Sequence, residues 1–311
     1  MWRGVTAFSW IGTLLLGLAA AGCGGDSSDS DRPALSYQEQ VDQALKERVP
    51  DIRAGRLIDI GAKQGEAKDL LGAEKTLDLA AKACDDIKKP AARASTFARL
   101  AETQMQIRDR SGAKKSLAAA GEAAGQIDDP ESKVRALAAL GVAQGALKDD
   151  AGAAETFKAA EAIAAKLQDP LGKTTVLCAI AAGYRKIDQD TEVDRVLQTA
   201  LATGQAIEDD RRRSDAIAEV AATQSRLNKK EAAAKTFELA LEAARKIETP
   251  YSRAYALMDI AKKLSKAGRH APTHDVLKEA ERVAKKIPNP DLRDEADEEV
   301  QKLMFKLPGP G

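Results

Sequence analysis

Few side chains in this sequence are equipped for catalysis, and their spacing argues against it. Only two histidines are present, in the run His270-Ala271-Pro272-Thr273-His274, with Asp275 beside the second. Two imidazoles converging on one cation would make half of a zinc site, and a histidine beside a carboxylate could activate a serine. Pro272 weighs against both readings, because a proline that opens a helix leaves His270 ahead of it, off the face that carries His274. The glycines from Gly121 to Gly125 fall inside an apolar helical stripe, not in a loop able to cradle phosphate. No catalytic residue, metal or cofactor is therefore expected.

Charge offers a second kind of chemistry. Basic residues recur every forty positions at Arg53, Arg93, Lys133, Lys173, Arg213, Arg253 and Arg293. Each falls in the first turn of a helix, where a cation opposes the helix dipole, so a specific contact must compensate. Two readings fit: contacts to acids or carbonyl oxygens of the preceding turn, or a stripe that reads anions, with one charge about every 8–10 Å, the spacing of packed helices. Over the whole chain 48 basic residues balance 48 acidic ones, which gives no sign of a general nucleic-acid binder.

The elements that must carry these residues are helices. Only 4% of the chain is aromatic, while Ala, Leu, Glu, Lys and Arg abound, a composition that favours an all-helical fold. Pro50, Pro90, Pro130, Pro170, Pro250 and Pro290 are separated by multiples of forty, with Asp210 where the missing proline would stand. Six units follow without an insertion, at 51–90, 91–130, 131–170, 171–210, 211–250 and 251–290, and a partial seventh starts at Asp291. Such a period marks a stack of supersecondary units. In the third, Leu137, Leu140, Gly141, Gln144 and Leu147 share one helical face, Lys148, Asp149 and Asp150 interrupt it, and Ala153, Phe157, Ala160, Ala164 and Leu167 form the second stripe. Asp169 can then cap the next helix, with Pro170 in its first turn.

Columns across the units sharpen this picture. Ala80, Ala120, Ala160, Ala200, Ala240 and Ala280 are all alanine, as expected where two helices approach too closely for a longer side chain. Cys84 and Cys178 stand in columns otherwise filled mainly by alanine, so both read as small buried residues. A single hairpin holds too few apolar side chains, at roughly 2 kcal/mol each, to offset the ordering of its backbone at about 1–2 kcal/mol per residue. Stability must come from stacking.

The order Leu140-Gly141, Ala153, Phe157, Ala160 and Pro170, with Ile180-Ala181, Tyr184, Ala233, Phe237 and Ala240 elsewhere, resembles the tetratricopeptide repeat family over residues 51–290. The departure is length, since that family repeats every 34 residues and this chain every 40, mostly through a longer second helix. The resemblance implies a right-handed α-solenoid of helix-turn-helix repeats, with partners bound along the concave surface of the first helices. Positions matching that surface include Ala98, Ala138, Cys178, Ala218 and Met258, with Arg185, Lys186, Arg226, Lys262 and Lys266 toward the C-terminal half. No Lys and Asn pattern matches the family's clamp for C-terminal carboxylates. Tyr251 and Tyr255, four residues apart, suit either an aromatic anchor for a partner or packing against the adjacent cap.

The N-terminus reads as an export signal. Arg3 precedes a mainly apolar run from Val5, and small residues lead to Cys23. Ala20-Ala21-Gly22-Cys23 resembles the lipobox of bacterial lipoproteins, with Ala20 where the family usually has Leu. That resemblance implies lipid on Cys23; ordinary cleavage near Ala21 and an uncleaved anchor are the alternatives. The expected organisation is a signal peptide at 1–22, a polar tether at 23–33, a capping helix at 34–50, six repeats at 51–290, and a closing helix and tail at 291–311. Val300, Met304 and Phe305 are expected on one side of that closing helix. The function expected is a noncatalytic scaffold for an unknown protein or peptide, displayed from the bacterial cell envelope through its lipid. A lipoprotein that spaces an envelope complex is the alternative.

Overall fold

The computed structural model describes residues 35–307. The expectations for Cys23, the signal peptide and the tether fall outside them. A short helix α1, Tyr37–Leu45, comes first. Seven long helices, here called A helices, begin at intervals of forty residues: α2 Pro50–Glu66, α4 Pro90–Gln106, α6 Pro130–Ala146, α8 Pro170–Lys186, α10 Asp210–Arg226, α12 Pro250–Lys266 and α14 Pro290–Lys306. Six B helices keep the same step: α3 Leu70–Asp85, α5 Arg110–Gly125, α7 Asp150–Ala164, α9 Asp190–Gln205, α11 Lys230–Lys246 and α13 His270–Ala284. The described residues contain no strand.

Local chemistry sets both junctions. Where a B helix gives way to an A helix, proline occupies the first turn in six of the seven A helices. Asp129, Asp169 and Asp209 accept hydrogen bonds from the backbone N–H groups of Ser132, Gly172 and Arg212, occupying a donor the helix itself leaves free. The A-to-B turn is tighter. In the third unit Lys148 sits at φ +65°, its N–H donates to Gly145 O, and that of Asp149 to Gln144 O. This doubly bonded left-handed closure recurs at Lys68, Arg108, Asp188, Asn228 and Gly268. Only the last is the residue that adopts it without strain.

The A helices α2 to α12 each pack against the B helix that follows, and every A helix packs against its neighbouring A helix along the stack, while consecutive B helices make no comparable contact. The stack is thus an α-solenoid in which consecutive A helices form one continuous packed layer. The alanine column is sealed, with no member above 1% exposed. Phe157 fills the space that Cβ atoms would need at Gly141 on α6 and Gly183 on α8, and its ring lies 4.9 Å from that of Tyr184. Burying a side chain of this size stabilises by about 1.5–3 kcal/mol, and here it joins two consecutive units.

Two expectations about individual side chains need correction. His270 is the first residue of α13, so it lies within the helix and shares a face with His274 one turn on. Pro272 is tolerated there because the first-turn N–H groups have no intrahelical partner. No group of three metal-ligating side chains is found among the described residues. Phe305 is 93% exposed and does not join Val300 in the core, because the two are five residues apart and α14 turns Phe305 outward.

Candidate binding groove on the A helices

Six of the seven basic ladder residues contact the ends of helices. Lys133 Nζ donates to Gly125 O at 3.1 Å and Lys173 Nζ to Ala165 O at 3.0 Å. Arg213 reaches Ile207 O at 2.7 Å, Arg253 reaches Glu248 O at 3.1 Å, and Arg53 reaches Glu47 O at 3.0 Å and Asp86 at 2.6 Å. Arg93 donates to Gln126 Oε1. Arg53, Lys133, Lys173, Arg213 and Arg253 sit at the negative end of the preceding helix and Arg93 at that of α5, and this contact compensates their unfavourable place at the start of their own helices. Arg293 on α14 has a different neighbour, Asp294 at 4.0 Å.

The A-helix face of the stack is uneven in charge. At one end Arg99 on α4 pairs with Asp59 on α2. At the other, Arg211 bonds Asp259 at 2.6 Å, Lys263 bonds Glu219 at 2.5 Å, and Lys262 lies 3.6 Å from Asp259 and 3.7 Å from Glu299. Between them α6 and α8 carry Ala139, Val142, Ala179 and Ala182 at the places where neighbouring helices carry Arg99, Glu102, Glu219, Asp259 and Lys262. These small residues floor a groove of about 930 Å³. Glu102 and Arg135 stand at one end, and Arg185, Lys186, Glu219 and Arg226 at the other.

Several expected site residues meet here. Arg185 is held by Asp190 at 3.0 Å, and Arg226 by Glu219 at 3.2 Å and Thr223 Oγ1 at 2.7 Å. Lys186 faces Glu102 across α6, within electrostatic reach, and burial raises the Glu102 carboxyl pKa above its ordinary value against the pull of that lysine. Arg226 also borders a smaller pocket of about 290 Å³ between α10 and α12, with Lys263, Lys266 and Ser225.

Others do not belong to the groove. Met258 is 0% exposed and cannot touch a partner; its column faces the neighbouring A helix. Ala98 and Ala218 are buried in the same way, while Ala138 and Cys178 reach the groove only at its floor. Burial pushes the Cys178 thiol up to about 12, as it does that of Cys84, so both stay protonated and unreactive. Tyr251 and Tyr255 pack ring against ring at 4.7 Å, and Tyr255 Oη donates to Glu295 on α14 at 3.0 Å. That contact supports packing against the closing helix.

Sequence reasoning missed the groove floor. Its signal was present in the column Asp59, Arg99, Ala139, Ala179, Glu219, Asp259, Glu299, where two neutral residues interrupt a run of charges.

No protein-family model matches this chain, and no curated protein does so either. Solved structures show a distant likeness. Ton1535 from Thermococcus onnurineus NA1 is 16% identical over 86% of this chain and 96% of its own, with a TM-score of 0.40. BtubC (BKLC) from P. vanneervenii is 15% identical over 82% and 95%, at 0.37. A Rap protein complexed with competence and sporulation factor is 10% identical over 86% and 80%, at 0.36. Likenesses this weak say nothing about function, and the solenoid assignment rests on the helix register itself.

Proposed function

We propose that this chain is a noncatalytic binding scaffold whose A-helix groove receives a peptide or an exposed segment of another protein. The observation that carries this reading is the neutral window over α6 and α8. On both sides of it, charged side chains pair with one another across neighbouring helices, and an incoming ligand would have to break those pairs. Inside it, Ala139, Val142, Ala179 and Ala182 offer apolar surface that a ligand can cover without such a loss. A groove of about 930 Å³ has room for several residues of an extended peptide. The tetratricopeptide-like order of small and large residues agrees with use of this face.

The same proposal places the scaffold at the bacterial cell envelope, held by lipid on Cys23. Its support is the apolar N-terminal run and the lipobox-like sequence before that cysteine. No described helix is long and apolar enough to cross a membrane. Mass spectrometry of the native N-terminus tests the anchor directly, with a diacylated Cys23 as the expected terminal residue.

The groove is tested by an Ala182→Glu variant, which places a charge on the floor at a partly exposed site. Immobilised full-length protein should retain a saturable partner from envelope extracts, and Ala182→Glu should release it while helical content is unchanged. Equal retention by both forms would remove the groove from consideration.

A further inference from the structure

The last residue of each A helix changes character along the stack. It is Glu66, Gln106 and Ala146 in the first three units, and Lys186, Arg226, Lys266 and Lys306 in the four A helices that follow. Lys186 and Arg226 border the larger groove, and Arg226 and Lys266 the smaller pocket beside it. Since Arg226 and Glu219 line both, the two make one trough that runs from a neutral floor to a cationic margin.

Cations are welcome at helix C-termini on dipole grounds, yet α4 and α6 end in Gln106 and Ala146, so the fold does not require them. Most local acids are already engaged, Asp188 lying 3.9 Å from Arg185, while Glu102 at the far end has no ion pair among the described residues. Glu219 is held by Lys263 at 2.5 Å and Arg226 at 3.2 Å, and Asp190 by Arg185 at 3.0 Å. Lys186 lies within electrostatic reach of Glu102, and neither it nor Lys266 has an ion pair among the described residues. Both side chains are exposed. Their spacing fits an extended chain. Neighbouring packed helices lie about 8–10 Å apart, and a strand advances about 6.6–10 Å over two to three residues.

We infer that the trough selects an extended acidic peptide, in which a short stretch of small apolar residues on the floor is followed by carboxylates every second or third residue along Lys186, Arg226 and Lys266. This rests on the groove reading above and adds the chemistry of its ligand.

The test uses full-length protein and fluorescein-labelled peptides with an Ala-Val-Ala-Leu segment followed by alternating Ser and Asp, Ser and Lys, or Ser and Gln. Anisotropy should show binding of the Asp peptide, weakened by added salt and weakened about tenfold or more by Lys186→Glu with Lys266→Glu. The Lys peptide should bind least. Equal binding of the Asp and Gln peptides, with loss of both on Ala182→Glu, overturns the acidic preference and leaves the groove standing. Failure of every peptide to bind overturns both. Retention of the Asp peptide by the doubly substituted protein also overturns the assignment, provided circular dichroism shows it folded.

Discussion

At the scale of single residues, the repeat acts as its own comparison series. Position 64 and its equivalents read Gln64, Gln104, Gln144, Tyr184, Gln224 and Leu264, while the residues twelve further on read Thr76, Ser116, Thr156, Val196, Thr236 and Val276. Polar stands with polar, and apolar or aromatic with apolar. The structure supplies the reason, since Thr76 Oγ1 donates to Gln64 Oε1 at 2.7 Å inside the hairpin, as Ser116 does to Gln104 and Thr156 to Gln144. A buried donor without an acceptor costs about 1–3 kcal/mol. Gln64→Leu and Thr76→Val should therefore each destabilise by about that amount, and the pair together by less than the sum. Urea denaturation of the four proteins measures this, and strictly additive costs would refute the coupling. The stripe that contains Gln144 was readable as a helical face in the sequence, but the hydroxyl partner lies on another helix.

At the scale of elements, caps decide where helices begin. Asp169 accepts from Gly172 N at 2.8 Å, and that backbone hydrogen bond, helped by Arg212, holds its carboxyl below the usual carboxylate range. A group whose folded pKa is depressed stabilises above its unfolded value near 3.9, and the gain vanishes as pH falls through the folded value. Asparagine caps without titrating. Asp169→Asn should thus match the parent within a few tenths of a kcal/mol at neutral pH and exceed it in strong acid, by at most the roughly 0.5–2 kcal/mol that such caps contribute. The lost ion pair with Arg212 is solvent-exposed and worth little. Urea midpoints for the two proteins that stay parallel from neutral to acid would rule this out. Proline and aspartate made these boundaries legible, and the break at Lys148 was legible too, whereas the left-handed backbone at Lys68, Arg108 and Lys148 was not, because none of these residues is glycine.

At the scale of the whole molecule, α14 presents a different face from the A helices before it. Where α12 presents Leu257, Met258 and Ala261, all buried, α14 carries Asp297, Glu298 and Gln301. A further unit would find polar groups where it needs apolar ones. Replacing them as Asp297→Leu, Glu298→Met and Gln301→Ala should expose a new apolar strip and produce concentration-dependent assembly in sedimentation velocity. Unchanged sedimentation would show that termination lies elsewhere. The period and its alanine seam were open to reading because every unit states them again. The groove was not, since it arises where two neighbouring units, those of α6 and α8, carry neutral residues in columns that are elsewhere charged, and only helices stacked in space show that the flanking charges pair across units.

The register holds across the described helices without a slip of one residue, and the same alanine position is buried in all six repeats. A segment of DNA encoding one unit could then be copied or deleted in frame without creating an unfamiliar junction. Length, and with it the number of rungs offered to a ligand, is therefore the property that recombination can alter most freely.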